Sequence, residues 1–77
     1  MYYVYAIKSK NHKYIYVGLT NNLERRFNQH NEWREITTRS YRPFEIIYKE
    51  CCETRMKARN REKYLKSWIW KEFLKKL

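Results

Sequence analysis

The sequence predicts a small α/β protein of the α+β kind, in which a three-stranded antiparallel sheet is flanked by two or three helices. Two runs of alternating apolar side chains, residues 2–8 and 14–17, are separated by a polar segment, as in a β-hairpin. Two later stretches, residues 22–31 and 53–66, place apolar residues at helical spacing. The chain has 77 residues, and a domain of this size buries only about 60% of its unfolded surface. We therefore expect a single domain, residues 1–77.

The first two strands bring tyrosines to one face of the predicted sheet. Alternation places Tyr3, Tyr5 and Ile7 on the same face of the first strand. The second strand returns antiparallel after the polar turn, so Tyr16 lies near Tyr5 on that face. The alternative is a cross-strand aromatic pair that only stabilises the sheet.

Gly18 is the one glycine of the chain, and it follows the second strand. A lone glycine at a strand end marks a backbone that needs positive φ or the close approach of another group. Thr20, Asn21 and Asn22 come next, and each is a residue type that caps helix N-termini. The pattern predicts a strand, a glycine turn and then a helix.

The helix over residues 22–31 separates two adjacent arginines. At 100° per residue, one sector of about 100° holds four side chains: Leu23, Arg26, Phe27 and His30. Arg25 falls on the far side, in solvent. Arg26 and His30 therefore lie against the sheet or line a groove beside it. The alternative is that Arg26 lays its stem on the core and His30 is a histidine satisfied near the negative helix end.

An irregular basic loop, residues 31–43, leads to the third strand at residues 44–50. The loop carries Arg34, Arg39 and Arg42, which we expect to contact nucleic-acid backbone. The β-branched residues of the third strand fit a central or well-covered position. We expect a turn at the adjacent Cys51 and Cys52, which follow this strand.

The second helix, residues 53–66, carries a carboxylate in its apolar stripe. Ala58, Glu62 and Leu65 lie within about 60° of each other. A charge in such a stripe is costly unless it is paired or bound to a metal. Glu62 is therefore either a salt-bridge partner of Arg26 or a metal ligand. A short helix over residues 71–77 is expected to close the core.

Charge and composition indicate what kind of partner the protein binds and in which compartment it works. The net charge is +10, and 18% of the residues are aromatic, which points to a polyanion and most often to nucleic acid. No segment is long enough to span a membrane, and no signal-peptide core follows Met1. The adjacent cysteines have no zinc-type spacing and rarely pair with each other. We expect a reduced, cytoplasmic protein.

The expected side chains supply the parts that phosphodiester hydrolysis needs. A divalent cation polarises the phosphate, and a carboxylate holds the cation. An arginine neutralises the developing charge, and a phenol or imidazole orients or deprotonates water.

The ordered motifs resemble the GIY-YIG nucleases. Four segments carry the resemblance, in order: Tyr3-Val4-Tyr5, Tyr16-Val17-Gly18, Arg26 and Arg61-Glu62-Lys63. It covers essentially the whole chain, and the chain looks like the small stand-alone bacterial members. Tyr3 replaces the glycine of the first motif, and Leu19 stands where repair-type members carry a lysine.

The resemblance implies a role for each matching residue. Tyr5 and Tyr16 match the two motif tyrosines, one of which helps to activate water. Arg26 matches the phosphate-binding arginine, and His30 stands where relatives carry a residue that assists proton transfer. Glu62 matches the sole protein ligand to Mg²⁺ or Mn²⁺. Gly18 matches the glycine that lets substrate or helix approach closely, which places it among the nucleic-acid contacts.

Two other classes of protein compete with a metal-dependent endonuclease acting on DNA. One is a non-catalytic nucleic-acid-binding module on the same fold. The other is a basic structural protein of a ribonucleoprotein whose tyrosines stack on bases. Glu62 separates them, because a pure binder of polyanions has no use for an acid beside its basic groove.

Overall fold

The structure is a computed structural model that describes residues 1–32, 38–67, 72 and 76. The strands are β1 (Tyr2–Ser9), β2 (Ile15–Thr20) and β3 (Phe44–Cys52). The helices are α1 (Leu23–Asn31) and α2 (Arg55–Leu65), with a 3₁₀ turn at Arg39–Tyr41. The predicted three-stranded antiparallel sheet with two helices is confirmed. The helix predicted for residues 71–77 falls almost entirely outside the described residues.

The sheet order is β2-β1-β3, so β1 is the central strand. The prediction of a central or well-covered third strand was wrong, because β3 is an edge strand and its Ile46 is 39% exposed. β-branched residues report packing on the faces of a strand and not its hydrogen-bonded neighbours. The β1–β3 register also shifts, from Ala6 opposite Tyr48 to Ile7 opposite Ile46. This bulge leaves Ile47 as an extra residue, which simple alternation cannot foresee.

Each strand ends one to three residues later than predicted, and the helices begin at Leu23 and Arg55 rather than at residues 22 and 53. β2 continues through Gly18 to Thr20, because Gly18 pairs with Tyr5. β3 includes both cysteines, so the predicted turn there was wrong. The side chain of Asn22 caps α1 by accepting from the Arg25 N–H, and that of Thr54 caps α2. The chain therefore enters each helix through a polar residue, which the sequence predicted for α1.

The two faces of the sheet carry different clusters. On the α2 face, aliphatic side chains of the sheet and of α2 pack together: Val4, Ala6, Val17, Ala58 and Leu65. On the α1 face, mainly aromatic side chains pack together: Tyr5, Ile7, Phe44, Tyr16, Leu23 and Phe27. Consecutive strand residues point to opposite faces, so α1 and α2 cover opposite sides of the sheet. In the part of the chain that the structure describes, no helix has the length and hydropathy to cross a membrane.

Candidate active site

Tyr5 and Tyr16 lie together on the α1 face. Their ring centroids are 6.3 Å apart, with the planes tilted by 43°. The prediction that they share one face of the sheet is confirmed. Tyr5 is fully buried, whereas Tyr16 is only partly buried. Of the two tyrosines, Tyr16 is therefore the one that solvent reaches.

Gly18 is required by the close approach of these two rings. A Cβ atom at Gly18 would lie 2.7 Å from the Tyr5 hydroxyl oxygen and 2.9 Å from Tyr16 Cε1. Its φ is not positive, so of the two explanations for this glycine, close approach is the one the structure bears out. Gly18 is buried beneath the rings, and its contact with nucleic acid remains a prediction.

His30 joins the tyrosines from the last turn of α1. It is fully buried, its Nε2 lies 2.9 Å from the Tyr5 hydroxyl oxygen, and its Nδ1 lies 2.7 Å from Thr38 Oγ1. Its ring centroid is 4.9 Å from that of Tyr16. The fold thus assembles Tyr5, Tyr16 and His30 into one cluster, with Thr38 behind the histidine.

Thr38 is a member of this cluster that sequence reasoning missed. It is fully buried although it lies in the polar loop between α1 and β3. The loop has no periodicity from which burial could be inferred, so the contact with His30 appears only when the loop is folded.

The two adjacent arginines of α1 have the different environments that helix geometry predicts. Arg25 is exposed, whereas Arg26 is partly buried, one turn before His30. Arg26 Nη1 donates to Gln29 Oε1 at 3.1 Å. This bond runs along the helix to a residue in the next turn.

Glu62 lies in the buried stripe of α2, as predicted. Ala58, Glu62 and Leu65 are the buried residues of that helix. The carboxylate forms ion pairs with Arg59 Nε at 3.9 Å and Lys66 Nζ at 3.6 Å. The ion-pair partners of Glu62 are therefore its neighbours along the chain, one in α2 and one just after it, rather than Arg26.

The predicted convergence of all five site residues on one region is only partly reproduced. Tyr5, Tyr16 and His30 meet on the α1 face, and Arg26 lies on the helix that covers it. Glu62 belongs to the helix on the opposite face. Among the described residues, no hydrogen bond or ion pair joins Glu62 to the tyrosine cluster.

Of the three loop arginines, two lie within the described residues, and Arg34 lies outside them. Arg39 is exposed and Arg42 partly buried, and both line an open cavity of about 520 Å³. The loop is anchored where the Tyr41 carbonyl accepts the Ser9 hydroxyl and the Tyr41 ring stacks on Tyr14 at 4.0 Å. Burial, followed by the nearby Tyr41 and Tyr16, raises the pKa of Tyr14.

Comparison with known proteins shows which family the chain belongs to. The sequence profile of the GIY-YIG catalytic domain matches residues 1–75. The chain belongs to the GIY-YIG family. This is a nuclease family whose members act on nucleic acid and generally use divalent metal ions.

The chain is also similar in sequence to several small bacterial proteins. A UPF0213 protein of Clostridium perfringens is 40% identical over 67 residues, which cover 86% of this chain and 71% of that protein. A UPF0213 protein of Bacillus pumilus is 35% identical over 72 residues, with 92% and 72% covered. One from Staphylococcus haemolyticus is 32% identical over 75 residues, with 96% and 90% covered. No solved structure matches the chain.

The donor set of this GIY-YIG domain fits a hydrated divalent cation held by one carboxylate. Among residues 1–32, 38–67, 72 and 76, no group of three or more His, Cys or acidic side chains is placed to bind a metal. Mg²⁺ usually keeps several waters and takes only one or two carboxylates. The Arg59 and Lys66 side chains that contact Glu62 are 60% and 52% exposed. Such long exposed chains are free to release the carboxylate to a cation.

A second polar cluster, which the sequence analysis did not foresee, ties α2 to β3. Arg61 Nε lies 2.7 Å from Glu50 Oε2, and Arg61 Nη2 lies 3.2 Å from Oε1. The hydrogen bonds from Arg61 hold the pKa of Glu50 below its usual range, against the opposing effect of burial. Burial, followed by the Glu50 charge, raises the pKa of the neighbouring Cys52 thiol. Cys52 is thus kept protonated and is unsuited to act as a nucleophile.

Proposed function

We propose that the protein is a metal-dependent endonuclease that hydrolyses phosphodiester bonds of DNA. The observation that carries the proposal is the buried Tyr5–His30 contact beneath the partly exposed Tyr16, on the face that α1 covers. Burying polar groups such as the Tyr5 hydroxyl and the His30 imidazole is costly, and aliphatic side chains could stabilise this face without that cost. The family match supports the same conclusion.

Burial suggests a division of roles within the cluster. Tyr16 is the residue that orients or deprotonates the attacking water, because solvent reaches it and not Tyr5. Tyr5 and His30 lie behind it as a hydrogen-bonded pair that sets the local polarity and can accept a proton. Arg26 neutralises the charge that develops on the phosphate.

Glu62 is the residue that would hold the cation, Mg²⁺ or Mn²⁺. When bound, the ion would polarise the phosphate and stabilise the leaving oxygen. The carboxylate is the acidic member of a helix whose remaining exposed face is strongly basic. Binding the ion would replace the ion pairs that Glu62 makes with Arg59 and Lys66.

The basic loop is proposed to hold the substrate. Arg39 and Arg42 line one cavity, and with Arg34 they supply positive charge for phosphates. Binding to duplex DNA should weaken with salt, with a log–log slope of about 0.9 per phosphate contact. A flat salt dependence would rule out this mode of binding. We place the protein in the cytoplasm, which is consistent with two free cysteines.

The test is nicking of supercoiled plasmid with Mg²⁺, with Mn²⁺ and with a chelator. We expect cleavage that requires the metal and is lost in Glu62→Gln, which keeps the shape and removes the charge. Glu53→Gln is the matched control, because Glu53 is exposed and pairs with Lys57 at 3.7 Å on the surface. Full activity in Glu62→Gln would end the proposal in this form.

The second candidate is a non-catalytic module that binds nucleic acid on the same fold. The position of Glu62 on the helix opposite to the tyrosine cluster favours it. Its signature would be salt-sensitive binding that is unchanged in Glu62→Gln, with no cleavage in either metal. A melting temperature lowered by Glu62→Gln together with absent cleavage would assign Glu62 a structural role.

A further inference from the structure

The side chain of Thr38 forms a hydrogen bond with His30 instead of capping the turn that Thr38 precedes. Thr38 directly precedes the 3₁₀ turn Arg39–Tyr41, and threonine is one of the residue types whose side chain can cap the start of a helix. Here its side chain makes no capping hydrogen bond. Its hydroxyl lies instead 2.7 Å from His30 Nδ1, and both residues are fully buried.

Tyr41, on the far side of the 3₁₀ turn, fixes the backbone of Thr38. The Tyr41 N–H donates to the Thr38 carbonyl at 2.9 Å. Tyr41 is itself fixed to the sheet, by its stack on Tyr14 and by the hydroxyl of Ser9. The sheet therefore determines where Thr38 stands relative to the histidine.

The hydrogen bonds that His30 makes with Tyr5 and Thr38 select one neutral tautomer. A neutral imidazole has one nitrogen that donates and one that accepts. A phenol is a stronger donor and a weaker acceptor than an aliphatic hydroxyl, so the better pairing has the Tyr5 O–H donate to Nε2. The Nδ1–H then donates to the Thr38 oxygen.

We propose that Thr38 is a positioning residue that holds His30 in the Nδ1-protonated tautomer, so that Nε2 accepts the hydrogen bond of the Tyr5 hydroxyl. The inference rests on the proposed function, in which the Tyr5–His30 pair supports catalysis. Without the Thr38 oxygen, the tautomer protonated on Nε2 gains population. That tautomer cannot accept from Tyr5 and leaves the tyrosine cluster without a basic nitrogen.

The experiment compares Thr38→Val, which keeps the shape and removes the hydroxyl, with Thr38→Ser, which keeps the hydroxyl. The chain has 2 histidines, and His12 is exposed. Selective ¹⁵N-histidine labelling therefore gives one signal set for His30 and one internal reference. Ring-nitrogen shifts at mildly alkaline pH report the tautomer directly, whether or not the protein cleaves DNA.

We expect the unaltered protein and Thr38→Ser to show His30 protonated on Nδ1 and unprotonated on Nε2. Thr38→Val should show a mixture or the opposite tautomer, with unchanged His12 signals. Plasmid nicking by Thr38→Val should fall about tenfold to a hundredfold in kcat with KM little changed, and Thr38→Ser should restore it.

Two results would overturn the inference. One is a His30 protonated on Nε2 in the unaltered protein. The other is a Thr38→Val protein that keeps both the Nδ1–H tautomer and its kcat. If no variant cleaves DNA under any metal, the proposed function fails, and the ¹⁵N spectra still decide the role of Thr38. Thermal melts on all three proteins separate a tautomer change from a loss of fold.

Discussion

The two faces of the sheet are built from different chemistry. Behind α2, the buried side chains of Val4, Ala6 and Leu65 are aliphatic. Behind α1, the fully buried set includes the phenol of Tyr5 and the imidazole of His30. Both faces bury side chains, but only the second buries a phenol and an imidazole that are hydrogen-bonded to each other. The buried carboxylate of the α2 side, Glu62, is paired with Arg59 and Lys66 instead.

This difference has an energetic meaning. A buried polar group that lacks a partner costs about 1–3 kcal/mol, and among the described residues no buried side-chain nitrogen or oxygen is unsatisfied. The α1 face therefore depends on partners such as Thr38, whereas the aliphatic cluster of the α2 face depends on shape. Substitutions within the aliphatic cluster of the α2 face should change stability, and substitutions in the α1-face cluster should change activity first.

The largest effect is expected from an arginine of α1. Arg26→Ala should lower kcat by about 10²–10³-fold, because the developing phosphate charge loses a stabilising donor. Arg25→Ala is the matched control on the adjacent, exposed position, and it should mainly weaken binding at higher salt. Plasmid nicking and a salt titration measure the two effects. Equal losses in both variants would show that helix face does not separate these arginines.

The next effect should be confined to stability. Leu65 is fully buried on the α2 face, so Leu65→Ala should lower the free energy of unfolding by about 2–5 kcal/mol. The kcat of the folded fraction should be unchanged. Met56→Ala, at a side chain that is 76% exposed, is the control, and denaturant melts with parallel nicking assays are the measurement. A loss of kcat in folded Leu65→Ala would mean that packing on the α2 face also positions catalytic residues, Glu62 among them.

A smaller structural change should have a disproportionate effect on activity. In Gly18→Ala, the added methyl would meet the Tyr5 hydroxyl oxygen at 2.7 Å, so the rings must shift. Overpacking of this kind costs about 1–3 kcal/mol, and we expect nicking to fall by more than the stability loss explains. Leu19→Ala, its neighbour on the opposite face of β2, should lower stability without altering kcat. Unchanged nicking in Gly18→Ala would show that the ring positions are not critical.

Local periodicity was enough to predict part of the site. The shared face of Tyr5 and Tyr16 follows from the period of a strand, and the inward positions of Arg26 and Glu62 follow from the period of a helix. Each inference compares residues within one element or across one hairpin, where geometry is nearly fixed. The three-stranded sheet was predictable for the same reason.

Contacts between distant elements were not predictable in this way. The bond between Thr38 and His30 depends on how an aperiodic loop returns to the sheet. The pairing of Glu50 with Arg61 depends on β3 being an edge strand with a bulge, which its β-branched residues did not indicate. The placement of Glu62 opposite to the tyrosines depends on which face each helix covers, and a hydrophobic stripe does not specify that.

The smallest predicted effect concerns the polar cluster of the α2 side, where Glu50 accepts two hydrogen bonds from Arg61. Because the folded-state pKa of Glu50 lies below its ordinary value, the charged form stabilises the fold. This contribution is fully present above the ordinary carboxyl pKa and is lost as pH falls through the lower folded value. Glu50→Gln should therefore cost about 1 kcal/mol at neutral pH, a modest figure because both side chains are about a third exposed.

Thermal melts across the acid range provide the measurement for Glu50. The gap in melting temperature between the unaltered protein and Glu50→Gln should be widest at neutral pH and should close as pH falls below the ordinary carboxyl range. Glu53→Gln is the control, since the Glu53–Lys57 pair is exposed on both sides and should give almost no gap at any pH. The kcat of Glu50→Gln should stay unchanged, because this cluster joins α2 to β3 and, within the described residues, makes no hydrogen bond to Tyr5, Tyr16 or His30. A gap that is constant with pH would mean that the hydrogen bonds, and not the charge of Glu50, stabilise this side of the sheet.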